Sequence, residues 1–339
     1  MMSTQLKTSL TPAMQKNILV IGGNGFVGSA VCRSAVRRGW KVQSISKSGK
    51  PFTTPNGHLP AWTEKVEWHA ASAFEPTSYQ SLLSSSNAVV HTLGTLFDGG
   101  RYKQPLKEQN PLGTVVEGTR SVMNGLLGDN PLERGGPGSY ENMNRESAIT
   151  VCKAFISSSS ATSSSTSQSR PGNTFVYVSA EDVFRPAIPA RYITTKREAE
   201  RMIQELCSQS TPPIRSVMVR PSFIYHPHFR PISSPIAALI AAAGGIHQAL
   251  GGFSPLSVLT NLTRSQRHEG NALDNPIASM NRALTIPPIH VDHVGEAICA
   301  AIEDEGANGP LDVWAMRRLL GWVQDSEKTS GSASFADTR

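Results

Sequence analysis

Three glycines at regular spacing stand between a short apolar segment and an amphipathic one. Residues 17–21 are apolar enough for a buried strand, Gly22, Gly25 and Gly28 follow, and residues 27–38 have helical periodicity. Glycines let a backbone turn tightly and approach a pyrophosphate, whose charge meets main-chain N–H groups and the positive end of the helix. Strand, turn and helix in this order predict a dinucleotide-binding unit that also includes Phe26 and Val27.

Strand-like and helix-like segments alternate along the rest of the chain. Further strands are predicted at 41–46, 66–70, 88–92, 175–179 and 216–220, with a helix at 193–206. This alternation predicts an α/β fold, a Rossmann-type doubly wound parallel sheet with a small C-terminal substrate-binding lobe.

Composition gives the predicted boundaries. The nucleotide-binding domain is predicted at 17–230, the lobe with late Rossmann elements at 231–324, and a flexible tail at 325–339. Residues 98–140 are expected to form an irregular insertion over the carboxyl edge of the sheet. The Ser-rich stretch 157–172 is expected to be a disordered loop, since it has little apolar surface to bury.

Several classes of protein are disfavoured by composition. The longest apolar stretch, 236–250, is interrupted by glycines and a histidine, so no transmembrane helix is expected and at most peripheral membrane contact. The net charge of +6 is spread along the chain, which argues against nucleic acid as a partner. Four cysteines without a CxxC pair predict buried free thiols. The pairs His226/His228 and His290/His293 lack a matching Cys or carboxylate cluster, so no metal site is predicted.

The end of the second strand bears on the choice of cofactor. A site that prefers NAD(H) carries an Asp or Glu about twenty residues beyond the glycines, where it binds the ribose 2′-hydroxyl. This chain instead has Ser46, Lys47 and Ser48, with Lys50 just beyond them. Hydroxyls and a cation suit a 2′-phosphate, so NADP(H) is predicted over NAD(H).

A tyrosine and a lysine four residues apart form the second chemical feature. Tyr192 and Lys196 share one face of a predicted helix start. An ammonium beside a phenol lowers the phenol's pKa from about 10, which makes it a usable proton donor. Ser179 closes the strand before this helix, where its hydroxyl can bond a substrate oxygen.

Glycine loop, strand-end serine and YxxxK, in this order, resemble the short-chain dehydrogenase/reductase superfamily in its extended or atypical, epimerase/dehydratase-like branch. Segments 89–94, 219–221 and 289–294 also resemble that branch. Further similarity is to fungal mitochondrial coenzyme Q (ubiquinone) biosynthesis proteins, through 46–50, 140–144 and 192–200, a family similar to the nucleotide-binding accessory subunit of complex I.

The resemblance implies a role for each matching residue. Ser179 would polarise the substrate, Tyr192 would exchange the proton, Lys196 would bind the nicotinamide ribose, and Asn144 would support a proton relay. Gly94 would line the cofactor. The sequence departs from the pattern at Ser72 and His293, which replace acidic residues, and Ser72 loses an adenine contact.

Two functions follow as alternatives. One is an NADP(H)-dependent oxidoreductase with a small-molecule substrate such as a quinone or isoprenoid intermediate of ubiquinone biosynthesis. The other is a non-catalytic NADPH-binding accessory or assembly subunit of a mitochondrial protein complex. A nucleotide-sugar epimerase or dehydratase shares the fold but gains no support from the lobe sequence.

Residues 1–16 are predicted to target the mitochondrion, since residues 1–15 are Ser/Thr-rich and contain no acidic residue. The resemblance implies a position on the matrix side, peripheral to the inner membrane.

Overall fold

The computed structural model describes residues 16–95, 139–165, 173–185, 188–229, 238, 240, 242 and 276–322. Its strands are β1 (Asn17–Ile21), β2 (Lys41–Ser46), β3 (Val66–Ala70), β4 (Ala88–His91), β5 (Thr174–Val178), β6 (Arg215–Val219), β7 (Ile224–Tyr225), β8 (Ile289–His290) and β9 (Gly309–Leu311). Its α-helices are α1 (Phe26–Arg37), α2 (Gln80–Ser85), α3 (Ser147–Ser165), α4 (Ala190–Gln209), α5 (Pro276–Thr285), α6 (Val291–Glu303) and α7 (Val313–Leu319). Two 3₁₀ turns, Ala61–Lys65 and Pro76–Ser78, and one π-helical turn, Glu141–Glu146, complete the described elements.

Seven parallel strands form the main sheet in the order β3-β2-β1-β4-β5-β6-β9. Ile18 of β1 is in register with Val42 of β2 on one side and Ala88 of β4 on the other. The strand order therefore reverses between β1 and β4, and ligands of such sheets bind in the crevice at the carboxyl ends of the strands there. The predicted doubly wound parallel sheet is confirmed.

Alternate residues of β1 pack into two different core layers. Ile18 and Val20 belong to the layer that contains residues of α1 and α6, whereas Leu19 and Ile21 belong to the layer of α2, α3 and α4. All four side chains are at most 1% exposed, as expected of a central strand covered on both faces. The C-terminal elements α6, α7 and β9 thus contribute to the same core layer as α1, and β9 is the edge strand of the main sheet.

The Ser-rich stretch is partly helical, which corrects one expectation. The predicted loop 157–172 begins inside α3, which continues to Ser165. Hydroxyls of this stretch bond back to their own helix, Ser157 Oγ to Lys153 O (3.0 Å) and Ser160 Oγ to Ile156 O (3.1 Å). Back-bonding satisfies the polar side chains without unwinding the helix, and the buried first turns of α3 hold its start. Residues 166–172 lie outside the described part.

Other expectations fall mainly on residues that the structure does not describe. These are the targeting segment 1–16, the insertion 98–140, the apolar stretch 236–250 and the tail 325–339. Among the helices in the described ranges, none has both the length and the apolar content needed to span a bilayer. The four cysteines are buried free thiols, as predicted.

Candidate active site

The glycine loop joins β1 to α1 in a tight turn. Gly22 adopts a left-handed backbone (φ 87°), its N–H donates to Ile45 O (2.8 Å), and Gly25 N–H donates to Gly22 O (2.9 Å). A Cβ on Gly28 would lie 2.2 Å from Gly22 O, so only glycine allows this approach of helix to loop. The first turn of α1, with Phe26 and Val27, carries no acidic residue. These residues fit a pyrophosphate, because the positive end of the helix is not neutralised.

The turn after β2 lies beside this loop. Ser46 Oγ accepts a main-chain N–H of the turn, and Lys47, Ser48 and Lys50 are exposed. Asn24 of the glycine loop donates through Nδ2 to Ser48 Oγ (3.3 Å) and Lys50 O (3.3 Å). The turn is therefore tied to the loop, and residues 46–50 present cations and hydroxyls without a carboxylate.

Three of the four catalytic candidates lie just after β5 or in the first two turns of α4. Ser179 follows the strand and is 3% exposed, with its N–H donating to Val219 O (2.7 Å). Tyr192 is half-buried in the first turn of α4, with its ring centroid 5.9 Å from that of Tyr140. One turn later, Lys196 donates through Nζ to Val178 O (2.8 Å), the residue before Ser179. The helix start thus places the lysine beside the strand end that carries the serine.

Lys196 is buried, and burial lowers its pKa to about 7, while nearby Glu200 partly opposes this shift. Its Nζ lies 4.7 Å from the centroid of the Tyr177 ring, a cation–π contact. Removal from water disfavours the charged ammonium, so both protonation states are accessible near neutral pH.

Asn144 and Gly94 complete this group. Asn144 lies in the π-helical turn, accepts Thr95 N–H at Oδ1 (2.9 Å) and donates through Nδ2 to Thr95 O (3.2 Å). A Cβ on Gly94 would lie 3.0 Å from both Asn144 Oδ1 and Lys196 Nζ. The structure therefore brings together Asn144, Gly94 and Lys196, although Gly94 and Lys196 lie 102 positions apart in the sequence.

Two residues of this group were not predicted from the sequence. Tyr177 donates through its hydroxyl to the main-chain oxygen of Asn144 (2.5 Å), and burial raises its pKa well above 10, so it stays protonated. His91 ends β4, pairs through Nε2 with Ser147 Oγ (3.1 Å) and has its pKa lowered to about 3, mainly by burial and also by the charge of Lys196. Polar side chains inside otherwise apolar strands were the available signal for both.

A charged network on α4 was also missed. Glu200 is 5% exposed and accepts Arg197 Nη1 (2.5 Å) and Arg220 Nε (3.0 Å). Arg197 Nη1 also donates to Ser179 Oγ (3.3 Å). The network connects the end of β6 to the candidate serine.

The loop after Ser179 is anchored to α5. Buried Asp182 accepts Arg185 Nε (2.7 Å) and Nη2 (2.8 Å), and Arg282 of α5 donates to the main-chain oxygen of Asp182 (2.8 Å) and to its carboxylate. Arg185 N–H also donates to Ser279 Oγ (3.1 Å). This anchor fixes α5, from the predicted substrate lobe, beside the strand end that carries the serine.

One cluster resembles a metal site by distance alone. Ligand atoms of His226, His290 and Asp292 lie within 4.8 Å of one another. However, His226 Nδ1 accepts the N–H groups of His228 and Phe229 (both 3.1 Å), and His290 Nδ1 accepts Asp292 N–H (3.3 Å). Each neutral ring then carries its proton on Nε2, which leaves no ring lone pair for a metal. The Asp292 carboxylate is paired with an arginine of α1, so the donor set does not suit a cation.

Residues 18–268 match the NAD dependent epimerase/dehydratase family. The chain belongs to this family. It is 34% identical over 216 residues to MIOREX complex component 2 of Saccharomyces cerevisiae. The aligned region covers 63% of this chain and 75% of that protein. The epimerase/dehydratase-like resemblance inferred from the glycine loop and the YxxxK motif is thereby confirmed.

Solved structures of similar fold include two proteins with a bound dinucleotide. The 3-oxoacyl-[acyl-carrier protein] reductase from Brucella melitensis in complex with NAD has a TM-score of 0.51 at 12% identity, covering 88% of this chain and 94% of that chain. ElxO with NADP bound has a TM-score of 0.50 at 12% identity, covering 89% and 99%. At this identity the similarity shows the shared Rossmann-like fold.

Proposed function

We propose that this family member is an NADP(H)-dependent oxidoreductase of the short-chain dehydrogenase type. The observation that carries the proposal is the buried Lys196 ammonium, which lies beside Gly94, Asn144 and the strand end with Ser179. Tyr192 precedes the lysine by one helical turn, and the glycine loop lies at the same edge of the sheet. The family and the fold support this assignment.

Side chains of the protein would deliver the proton to the substrate. A bound nicotinamide cofactor supplies the hydride chemistry. The Ser179 hydroxyl would donate to the substrate carbonyl oxygen, and the Tyr192 hydroxyl would give that oxygen its proton. Lys196 would bind the nicotinamide ribose, and its positive charge would lower the pKa of the Tyr192 phenol. Asn144 would hold the Gly94–Thr95 backbone in place and support the proton relay.

The preference for NADP(H) over NAD(H) rests on the turn after β2. Lys47, Ser48 and Lys50 offer two cations and a hydroxyl to a 2′-phosphate, and Asn24 ties this turn to the pyrophosphate loop. We expect Lys47→Asp to weaken NADPH binding at least about tenfold more than NADH binding, because it replaces an attraction for the 2′-phosphate by a repulsion. Fluorescence titration measures both affinities, with Lys153→Asp on α3 as the control. Equal losses for the two nucleotides would refute the preference.

The proposed substrate is a quinone or isoprenoid intermediate of mitochondrial ubiquinone biosynthesis. Its support is the resemblance of segments 46–50, 140–144 and 192–200 to fungal proteins of that pathway. The acid-free residues 1–15 support mitochondrial targeting, with a position on the matrix side, peripheral to the inner membrane. Fractionation of cells that express the tagged full chain, with and without residues 1–16, tests this placement.

A second candidate is a non-catalytic, NADPH-binding subunit of a mitochondrial complex. The observation that favours it is the relative named as a component of the MIOREX complex. NADPH fluorescence on the purified protein, followed by oxidation with short-chain quinones and ketones, separates the two. Turnover that falls at least about a hundredfold in Tyr192→Phe would support the enzyme. Tight NADPH binding without turnover, with co-purification of a stoichiometric complex, would support the subunit.

A further inference from the structure

We propose that Arg197 is a positioning residue that orients the Ser179 hydroxyl toward the substrate oxygen, an inference that rests on the proposed reductase function. Arg197 follows Lys196 directly on α4, and its Nη1 donates to Ser179 Oγ at 3.3 Å. Ser179 itself is 3% exposed. The guanidinium is therefore the donor that orients this hydroxyl.

The direction follows from the chemistry of the two groups. A guanidinium has only donors, whereas a hydroxyl has one donor and two acceptor lone pairs. Because Arg197 donates to Ser179 Oγ, the serine hydrogen has to point away from Arg197 and remains available to donate. The positive charge also strengthens that O–H as a donor, since it stabilises negative charge on the oxygen. Arg197 thus keeps the hydroxyl hydrogen of Ser179 turned away from the guanidinium and available to the substrate oxygen.

Arg197 is held in place by a buried carboxylate. Glu200, one turn later on α4, accepts Arg197 Nη1 at 2.5 Å and is 6% exposed in its side chain. Arg220, just after β6, binds the same carboxylate through Nε and Nη2. A rotation of Arg197 away from Ser179 would break an ion pair in a poorly solvated site, so the geometry is fixed before substrate binds.

The test is a double-mutant cycle on the full chain loaded with NADPH. The variants are Arg197→Met, Arg197→Lys, Ser179→Ala and the Arg197→Met/Ser179→Ala pair. Arg201→Met is the control, since Arg201 is 73% exposed on the same helix. The readouts are kcat and KM with the best ketone or quinone, the NADPH affinity, the midpoint of thermal unfolding, and binding of isobutyramide, an unreactive carbonyl probe, to the NADPH complex.

We expect Arg197→Met to lower kcat and amide affinity by about tenfold, less than the hundredfold or more for loss of a direct oxyanion donor in Ser179→Ala. NADPH affinity should stay within about twofold, and Arg197→Lys should recover part of the loss. In the Ser179→Ala background, removing Arg197 should cost no further activity, because the two act as a unit. Arg201→Met should match wild type.

Two results would overturn the inference. One is a double variant in which the losses of kcat from the two single changes multiply. The other is an Arg197→Met protein with wild-type kcat and amide affinity. Failure of the wild-type NADPH complex to bind the amide would overturn it as well, because the inference requires a hydroxyl available to a carbonyl. Amide binding that follows the expected cycle without turnover of any substrate would count against the proposed reductase function alone. A fall in unfolding midpoint with unchanged amide affinity would assign Arg197 a purely structural role.

Discussion

Replacing Lys196 with methionine should stabilise the cofactor-free protein at pH 6 and change its stability little at pH 9. The lysine is buried, and its pKa is lowered from 10.5 to about 7, chiefly because burial disfavours the charged form. Below pH 7 it is charged in both the folded and unfolded states, so the cost of burying the charge is fully present. Between pH 7 and 10.5 only the unfolded chain keeps the proton, so stability rises with pH.

The magnitude follows from the size of the shift. One pKa unit corresponds to about 1.4 kcal/mol, so a pKa of about 7 implies a total cost of roughly 5 kcal/mol at low pH. About 3 kcal/mol of this cost is relieved on going from pH 6 to pH 9. Methionine also loses the hydrogen bond from Nζ to Val178 O, a loss of about 1 to 3 kcal/mol that is similar at both pH values. The difference between the two pH values is therefore the informative quantity.

Urea unfolding of the cofactor-free wild type and Lys196→Met at pH 6 and pH 9 measures this difference. The stability of the variant relative to wild type should be about 3 kcal/mol greater at pH 6 than at pH 9. Lys153→Met is the matched control, because Lys153 is exposed on α3 and its removal takes no charge out of a buried site. A relative stability of Lys196→Met that is the same at both pH values would refute the lowered pKa and the burial argument behind it.

Two further predictions concern the loop and the anchor of the site. Gly28→Ala should lower the midpoint of thermal unfolding and weaken NADPH binding, because the new Cβ would lie 2.2 Å from the carbonyl oxygen of the first loop glycine; Gly306→Ala, whose Cβ would lie 3.2 Å from a flexible side chain, is the control. A Gly28→Ala protein as stable as the control would contradict the close approach. Asp182→Asn should cost about 3 to 5 kcal/mol in urea unfolding, since Arg185 and Arg282 lose their shared carboxylate. A loss below about 1 kcal/mol, the size typical of an exposed pair, would show that this anchor is not effectively buried.

Features that depend on residues close together in the sequence were predicted correctly. The glycine spacing between apolar and amphipathic segments predicted β1, the loop and α1, and the alternation that followed predicted the parallel sheet. The YxxxK spacing predicted one helix start that carries both Tyr192 and Lys196. Each of these features depends on residues that are neighbours in sequence.

The contacts that define the chemistry join distant segments and could not be predicted in this way. Ser179 follows β5, Arg220 follows β6 and Arg197 lies on α4. Their contacts depend on the register of the two strands. Tyr177 reaches the Asn144 backbone because the π-helical turn lies over the end of β5. The Ser-rich end of α3 was wrongly predicted as a loop because composition does not reveal hydroxyls that bond back to their own helix.

The burial of Lys196 bears on the choice between the enzyme and the non-catalytic subunit. The glycine loop and the cations after β2 can hold a dinucleotide without a buried ammonium. Lys196 nevertheless lies against the Tyr177 ring and Val178 O, where the structure lowers its pKa to about 7. In the proposed mechanism the charge of Lys196 lowers the pKa of the Tyr192 phenol, an effect that proton transfer uses and nucleotide retention does not. Proteins keep such costly groups where activity depends on them, so Lys196 favours the reductase.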